Sequence, residues 1–142
     1  MLIPSLSASA RAEAFVDSLV RAFGEGLIAQ RTECTLKSVF TAALLVTEND
    51  LNRAGLPFPM DSIRVAAVLL AMDGDDAGVR LAGELAARAA MTNPETADGA
   101  ELRGAVQGLA PLYGSHVTAG QRWSQTESAR SKVSALLDTA LM

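Results

Sequence analysis

Apolar residues recur at intervals of three and four along most of the chain, which is the spacing of one face of an α-helix. The first such stripe lies between residues 9 and 29 and consists of Phe15, Leu19, Phe23 and Leu27. No segment shows the alternation of β-branched or aromatic residues with polar residues that predicts a strand. The pattern therefore predicts an all-α protein.

Prolines and capping residues divide the chain into five or six predicted helices joined by short connections. Pro57 and Pro59 form a break after the second helix, because proline lacks a backbone donor and restricts the residue before it. Either Asn93 or Asp98 is expected to begin the fifth helix. Thr118 is expected to begin the last helix, since a glutamine follows it in the register of a capping box.

The segment at 61–72 is apolar on nearly every side. A helix without a polar face is usually surrounded by other helices, so we expect this one to be the central helix of the bundle. The chain has 142 residues, a length that suits one domain. The prediction is a single-domain bundle over 1–142 with its centre near 61–72.

Charge is distributed unevenly around a net value of −4. Residues 48–101 contain four arginines and ten acidic residues, whereas residues 102–142 contain four basic and two acidic residues. The acidic middle argues against nucleic acid or an anionic membrane as the partner, because phosphates need cationic contacts. The longest apolar run is too short to span a bilayer. With no signal peptide recognised and only one cysteine, Cys34, we expect a cytoplasmic protein.

The sharpest local motif is Asp-Gly-Asp-Asp-Ala-Gly at the start of the segment 73–84. Its spacing resembles the calcium loop of the EF-hand family, which implies a cation held by carboxylate oxygens between two helices. The chain departs from that pattern at Ala77 and Arg80. The alternative interpretation is a turn in which Asp75 or Asp76 caps the next helix. The candidate metal ligands under the first interpretation are Asp73, Asp75 and Glu84.

A second motif lies at 37–59, where Phe40, Leu44 and Leu51 have a spacing that resembles the helix-turn-helix of repressor-type domains. That resemblance implies a DNA-binding regulator whose second helix enters the major groove. Glu48 and Asp50 on that helix would face phosphates, which is unfavourable. DNA binding is therefore the alternative function and not the leading one.

The chain shows no nucleophile–base pair, phosphate loop or complete set of metal ligands in sequence. We therefore expect a non-enzymatic helical interaction protein without a cofactor, whose partner is another protein or a second copy of itself. Tryptophan and arginine are enriched among interface anchors, and the C-terminal segment is apolar. The alternative for the tryptophan is closure of the core. The candidate partner-binding residues are Trp123, Arg130, Leu137 and Leu141.

Overall fold

The computed structural model describes residues 8–24, 30–47 and 60–140. Within these ranges the chain forms seven α-helices and no strand. The all-α class predicted from the sequence is confirmed, whereas the predicted number of five or six helices is too low. The helices are α1 Ala8–Phe23, α2 Gln30–Thr47, α3 Met60–Leu69, α4 Asp75–Met91, α5 Ala97–Tyr113, α6 Ala119–Gln125 and α7 Glu127–Ala140.

The extra helix arises because the last predicted helix is interrupted at Thr126. This threonine is fully buried, and its φ of −100° and ψ of 2° leave the helical region. Its hydroxyl donates to the carbonyl oxygen of Arg122 at 2.8 Å. A threonine that bonds back to the preceding turn in this way tends to bend a helix. The C-terminal segment therefore consists of two helices, α6 and α7.

The central helix of the bundle is α2, and the prediction that 61–72 holds this position is wrong. The α2 helix packs against α1, α3, α5 and α7, and its residues 39–45 are all buried. In contrast, α3 leaves Asp61 and Arg64 exposed. Two of its buried residues, Ala42 and Ala43, are small, and small side chains allow neighbouring helices to approach closely. An apolar sequence indicates burial but does not reveal how many helices surround it.

Buried apolar side chains from α1, α2, α3, α4, α5 and α7 form one continuous core. The rings of Phe15 on α1 and Phe40 on α2 meet edge to face, with centroids 5.1 Å apart. An edge-to-face pair adds about 1 kcal/mol to the burial of its rings. The short helix α6 differs from the others, since its buried side chain is a charged one, Arg122.

The C-terminus of α3 adopts a Schellman motif without glycine. The amide of Met72 donates to the carbonyl of Ala67, and the amide of Ala71 donates to that of Val68, both at 3.0 Å. Ala71 occupies the position that usually requires glycine, with φ at 63°. A left-handed conformation of this kind costs an L-residue roughly 1–2 kcal/mol.

Local hydrogen bonds explain where α5 and α6 begin. The predicted capping box at α6 is confirmed: Gln121 donates its amide to the Thr118 hydroxyl, and its side chain accepts from the Thr118 amide. At α5 the N-cap is Thr96, whose hydroxyl accepts from the amide of residue 99, and not Asn93 or Asp98. The two predicted start positions of α5 therefore lie on either side of the real one.

Candidate functional site

The ends of α4, α5 and α6 are joined by the side chain of Arg122. Arg122 lies on α6 and is 4% exposed. Its Nε and Nη2 donate to the two carboxylate oxygens of Asp75, the first residue of α4, at 2.7 and 2.8 Å. Its Nη1 donates to the carbonyl oxygen of Leu112 in the last turn of α5 at 2.7 Å. Because the Leu112 carbonyl has no partner within its helix, Arg122 both neutralises the charge of Asp75 and caps the C-terminus of α5.

Tyr113 extends this network to the C-terminus of α3. Its hydroxyl donates to the carbonyl oxygen of Leu69, the last residue of α3, at 2.6 Å. The guanidinium carbon of Arg122 lies 4.6 Å from the centroid of the tyrosine ring, within the range of a cation–π interaction. Four helices are thus joined through two side chains and one carboxylate.

The close approach of α4 to this network depends on Gly78. A Cβ at this position would overlap the hydroxyl oxygen of Tyr113 and would lie 2.9 Å from the carbonyl oxygen of Val68. Neither neighbour is the free end of a flexible chain, since one is hydrogen-bonded and the other is backbone. Glycine is therefore required here by packing, within the helical part of α4.

The network sets the protonation of its members. The hydrogen bonds from Arg122 hold the pKa of the Asp75 carboxyl below its usual value, and the same bonds raise the pKa of the guanidinium. Burial raises the pKa of the Tyr113 hydroxyl to about 12. At neutral pH the ion pair is therefore fully charged, and the tyrosine hydroxyl keeps the proton that it donates to α3.

A cavity of about 460 Å³ lies between α4 and α5, and Tyr113 and Arg122 of the buried network are among the residues that line it. Its walls are mainly apolar and include several very small residues. No sequence pattern predicts this cavity, because its walls come from three helices and a loop. The residues that line it are Val79, Ala82, Gly83, Ala86, Val106, Leu109, Ala110, Tyr113, Gly114, Val117 and Arg122.

Trp123 and Arg130 form a stacked pair on the outer side of α6 and α7. The guanidinium carbon of Arg130 lies 3.3 Å from the centroid of the tryptophan ring. Its Nη2 donates to the backbone carbonyl of Trp123 at 2.6 Å, and its Nε donates to the Thr126 hydroxyl at 3.2 Å. The tryptophan is 53% exposed, so it does not close the core.

A second, more polar cavity of about 380 Å³ lies between α1, α2 and α5. Lys37 lies in its wall, 3.2 Å from Glu33, 3.6 Å from Asp17 and 3.8 Å from Glu13. Burial acts to lower the pKa of Lys37, but the hydrogen bond with Glu33 and the three negative charges together raise it. The carboxylates here already share a cation, which makes this cluster a solvated ion-pair network between α1 and α2.

The carboxylates predicted to hold calcium do not converge. The predicted loop is helical from Asp75 onward, so Glu84 lies in the third turn of α4. Both oxygens of Asp75 accept from Arg122, and Asp73 is exposed before the helix. Among the described residues, no three histidine, cysteine or acidic side chains form a group that could hold a metal ion. The capped-turn alternative also needs correction, because the N-cap of α4 is Gly74.

The four predicted partner-binding residues divide into three situations. Trp123 and Arg130 lie together on the surface, as described above. Leu137 is half-buried and packs against the core from α7. Leu141 lies outside the described residues. Among the described residues of this set, only the stacked pair therefore offers a surface to a partner.

The segment that resembles a helix-turn-helix is only partly described. Its first part, up to Thr47, belongs to α2, and Phe40 and Leu44 are fully buried there. Residues 48–59, which include the predicted DNA-reading helix, lie outside the described residues. DNA binding by this segment stays a prediction.

Comparisons with known proteins give no indication of the function of this chain. No protein-family model, curated protein or solved structure matches the chain. None of the helices described above combines the length and the apolar character that crossing a bilayer requires. The stacked pair, the buried network and the apolar cavity are therefore the features from which a function has to be argued.

Proposed function

We propose that this protein is a non-enzymatic helical interaction protein that binds a partner protein through Trp123 and Arg130. The observation that carries the proposal is the stacking of a half-exposed indole against a guanidinium that is itself fixed by two hydrogen bonds. The proposal includes a regulatory or adaptor role in the cytoplasm, which the single cysteine of the chain supports.

The stacked pair has the properties of an interface anchor. Tryptophan and arginine are enriched among the residues that contribute most to binding energy, and both bury a large area per side chain. Ordering a flexible side chain at an interface costs about 0.5–1.5 kcal/mol. Arg130 is already held by Thr126 and by the Trp123 carbonyl, so much of that cost is met in the free protein. A pre-ordered anchor of this kind favours binding.

The chemistry of the pair indicates the kind of surface that it fits. The indole offers an apolar edge, and Arg130 retains N–H groups that its two hydrogen bonds do not use. A partner that supplies an apolar contact next to a carboxylate would satisfy both. The segment 48–101, which contains ten acidic residues, makes a second copy of this chain one such partner.

Affinity capture with the intact protein as bait tests the proposal. We expect one dominant partner, and we expect Trp123→Ala and Arg130→Lys each to reduce its recovery at least tenfold, because lysine cannot stack as a planar group. Gln125→Ala is the matched control, since Gln125 is an exposed residue of the same helix. Equal recovery with all three variants would contradict the proposal.

Self-association is measured separately by light scattering and by the emission of Trp123, which is the only tryptophan in the chain. If the partner is a second copy, the molar mass should rise from that of a monomer to that of a dimer as the protein concentration increases. The emission of Trp123 should shift to shorter wavelength, because the indole leaves water. The Trp123→Ala variant should then remain monomeric. A dimer that persists in this variant would place the interface elsewhere.

A further inference from the structure

The cavity between α4 and α5 is bounded by side chains too short to fill it. Ala82, Gly83 and Ala86 form the α4 wall, and Ala110 lies in the α5 wall. Gly83, Ala86 and Ala110 are exposed, and a Cβ added at Gly83 would meet no atom within 4 Å, so the cavity opens to solvent along these walls. The volume of about 460 Å³ falls within the range of small-molecule sites, and the lining is mainly apolar, as such sites are.

One end of the cavity wall is polar, because Arg122 lies in it beside Tyr113. Arginine has five N–H donors. The hydrogen bonds to Asp75 and Leu112 use three of them: one on Nε, one on Nη1 and one on Nη2. One N–H on each of Nη1 and Nη2 is left over in a side chain that is more than nine-tenths buried. Because a buried donor without an acceptor is unfavourable, an acceptor that reached these N–H groups from the cavity would bind with a favourable free energy.

The charge at this end selects the kind of acceptor. Asp75 already balances the charge of Arg122 through two short hydrogen bonds. An anionic group would have to lose its water and approach that carboxylate, which is unfavourable. A neutral carbonyl oxygen accepts the same N–H groups without adding a charge. The aromatic ring of Tyr113 adds an apolar surface beside it.

We propose that the α4–α5 cavity binds a small molecule with an apolar body and a neutral carbonyl end, such as an ester, an amide or a lactone. The apolar body lies between Val79 and Ala86 on one side and α5 on the other. The eight residues of α4 from Val79 to Ala86 span about 10 Å at the helical rise, which accommodates a chain of several methylene groups. The carbonyl oxygen accepts from Arg122. This site does not involve the Trp123–Arg130 pair and goes beyond the proposed function.

Methyl octanoate, a neutral ester, is the probe for a direct test. Its titration into the ¹⁵N-labelled protein should produce saturable shifts at the amides that line the cavity, among them those of Gly83 and Gly114. Octanoate, which has the same chain and a negative charge, should bind at least tenfold more weakly. Shifts that do not saturate, or that fall outside the cavity, would overturn the proposal, and so would equal binding of the two probes.

Two leucine variants on the same helix locate the binding. Ala86→Leu places a larger side chain in the cavity, whereas Ala87→Leu adds the same bulk at an exposed residue that does not line it. We expect Ala86→Leu to weaken methyl octanoate binding at least tenfold and Ala87→Leu to leave it unchanged. Equal affinity in the two variants would overturn the proposal. The titration contains no protein partner, so its failure is distinct from a failure of the interaction surface.

Discussion

Replacing Asp75 with asparagine tests whether the buried ion pair stabilises the fold. The substitution keeps the size of the side chain and removes its charge. Arg122 then remains with a side chain that is only 5% exposed and without a counter-charge, so water can replace the lost carboxylate only in part. The asparagine can accept one hydrogen bond, but its NH₂ group faces the N–H groups of the arginine.

The expected loss in the free energy of unfolding is about 2–3 kcal/mol. Removing one partner of a fully buried pair typically costs about 3–5 kcal/mol. The carboxylate of Asp75 is 33% exposed, and we lower the figure because solvent screens that side of the pair. For a chain of this length, the loss corresponds to a decrease of roughly 6–9 °C in Tm.

Urea denaturation followed by far-ultraviolet circular dichroism measures the loss, which should lower the midpoint and leave the slope unchanged. Asp76→Asn is the matched control. Asp76 also lies in the first turn of α4, and it is exposed. Both variants lose the favourable interaction with the helix dipole, about 0.3–1 kcal/mol, so the difference between them isolates the ion pair.

The pH dependence supplies a second readout. The pKa of Asp75 is lowered by Arg122 in the folded state, so its contribution is fully present above the unfolded pKa of about 4 and is lost as pH falls through the folded pKa. The stability gap between the wild type and Asp75→Asn should therefore narrow below about pH 4. Protonating Asp75 and substituting it both leave Arg122 without a counter-charge, which is why the two should converge.

Two results would refute this reasoning. The first is a loss in Asp75→Asn no larger than that in Asp76→Asn, since the pair would then contribute no more than a surface charge. The second concerns Arg122→Met in the Asp75→Asn background. Because methionine leaves no buried cation, the double variant should be more stable than Asp75→Asn alone. Methionine also leaves the Leu112 carbonyl without its donor, which costs about 1–3 kcal/mol. A double variant that is less stable than Asp75→Asn by more than this amount would show that an unpaired charge is not the source of the loss.

Three further predictions concern local packing. Gly78→Ala should destabilise the fold by about 1–3 kcal/mol, because the added Cβ overlaps the Tyr113 hydroxyl. Gly83→Ala, whose Cβ meets no atom, should stabilise the fold by about 0.5–1 kcal/mol, so the urea midpoints of the two variants should move in opposite directions. Tyr113 is the only tyrosine, so the absorbance of tyrosinate should rise with a midpoint near pH 12 in the folded protein, and a midpoint near 10 would contradict this. The contribution of Tyr113 to stability should be fully present below its unfolded pKa of about 10 and should be lost as pH rises through 12. Ala71→Gly should raise stability by about 0.5 kcal/mol, because relief of the left-handed backbone exceeds the loss of one buried methyl, and a lower Tm would show the opposite.

Apolar spacing and capping residues predict those features that depend on neighbours within one turn. The helical class follows from apolar spacing, which records one face of each helix. The start of α6 follows from Thr118 and Gln121, three residues apart, whose hydrogen bonds close within the first turn. Exposure of Trp123 was one of two open interpretations, because a tryptophan at the start of an apolar side can face the core or the solvent.

The features that join distant parts of the chain depend on how the helices pack against one another. Asp75 and Arg122 are 47 residues apart, and Tyr113 lies 44 residues from the carbonyl that it bonds. No local pattern marks such pairs, because each residue has an ordinary helical neighbourhood. The motif beginning at Asp73 predicted a cation loop, yet Asp75 meets a guanidinium brought by another helix. The position of α2 and the cavity beside α4 depend in the same way on how helices pack, which apolar spacing does not specify.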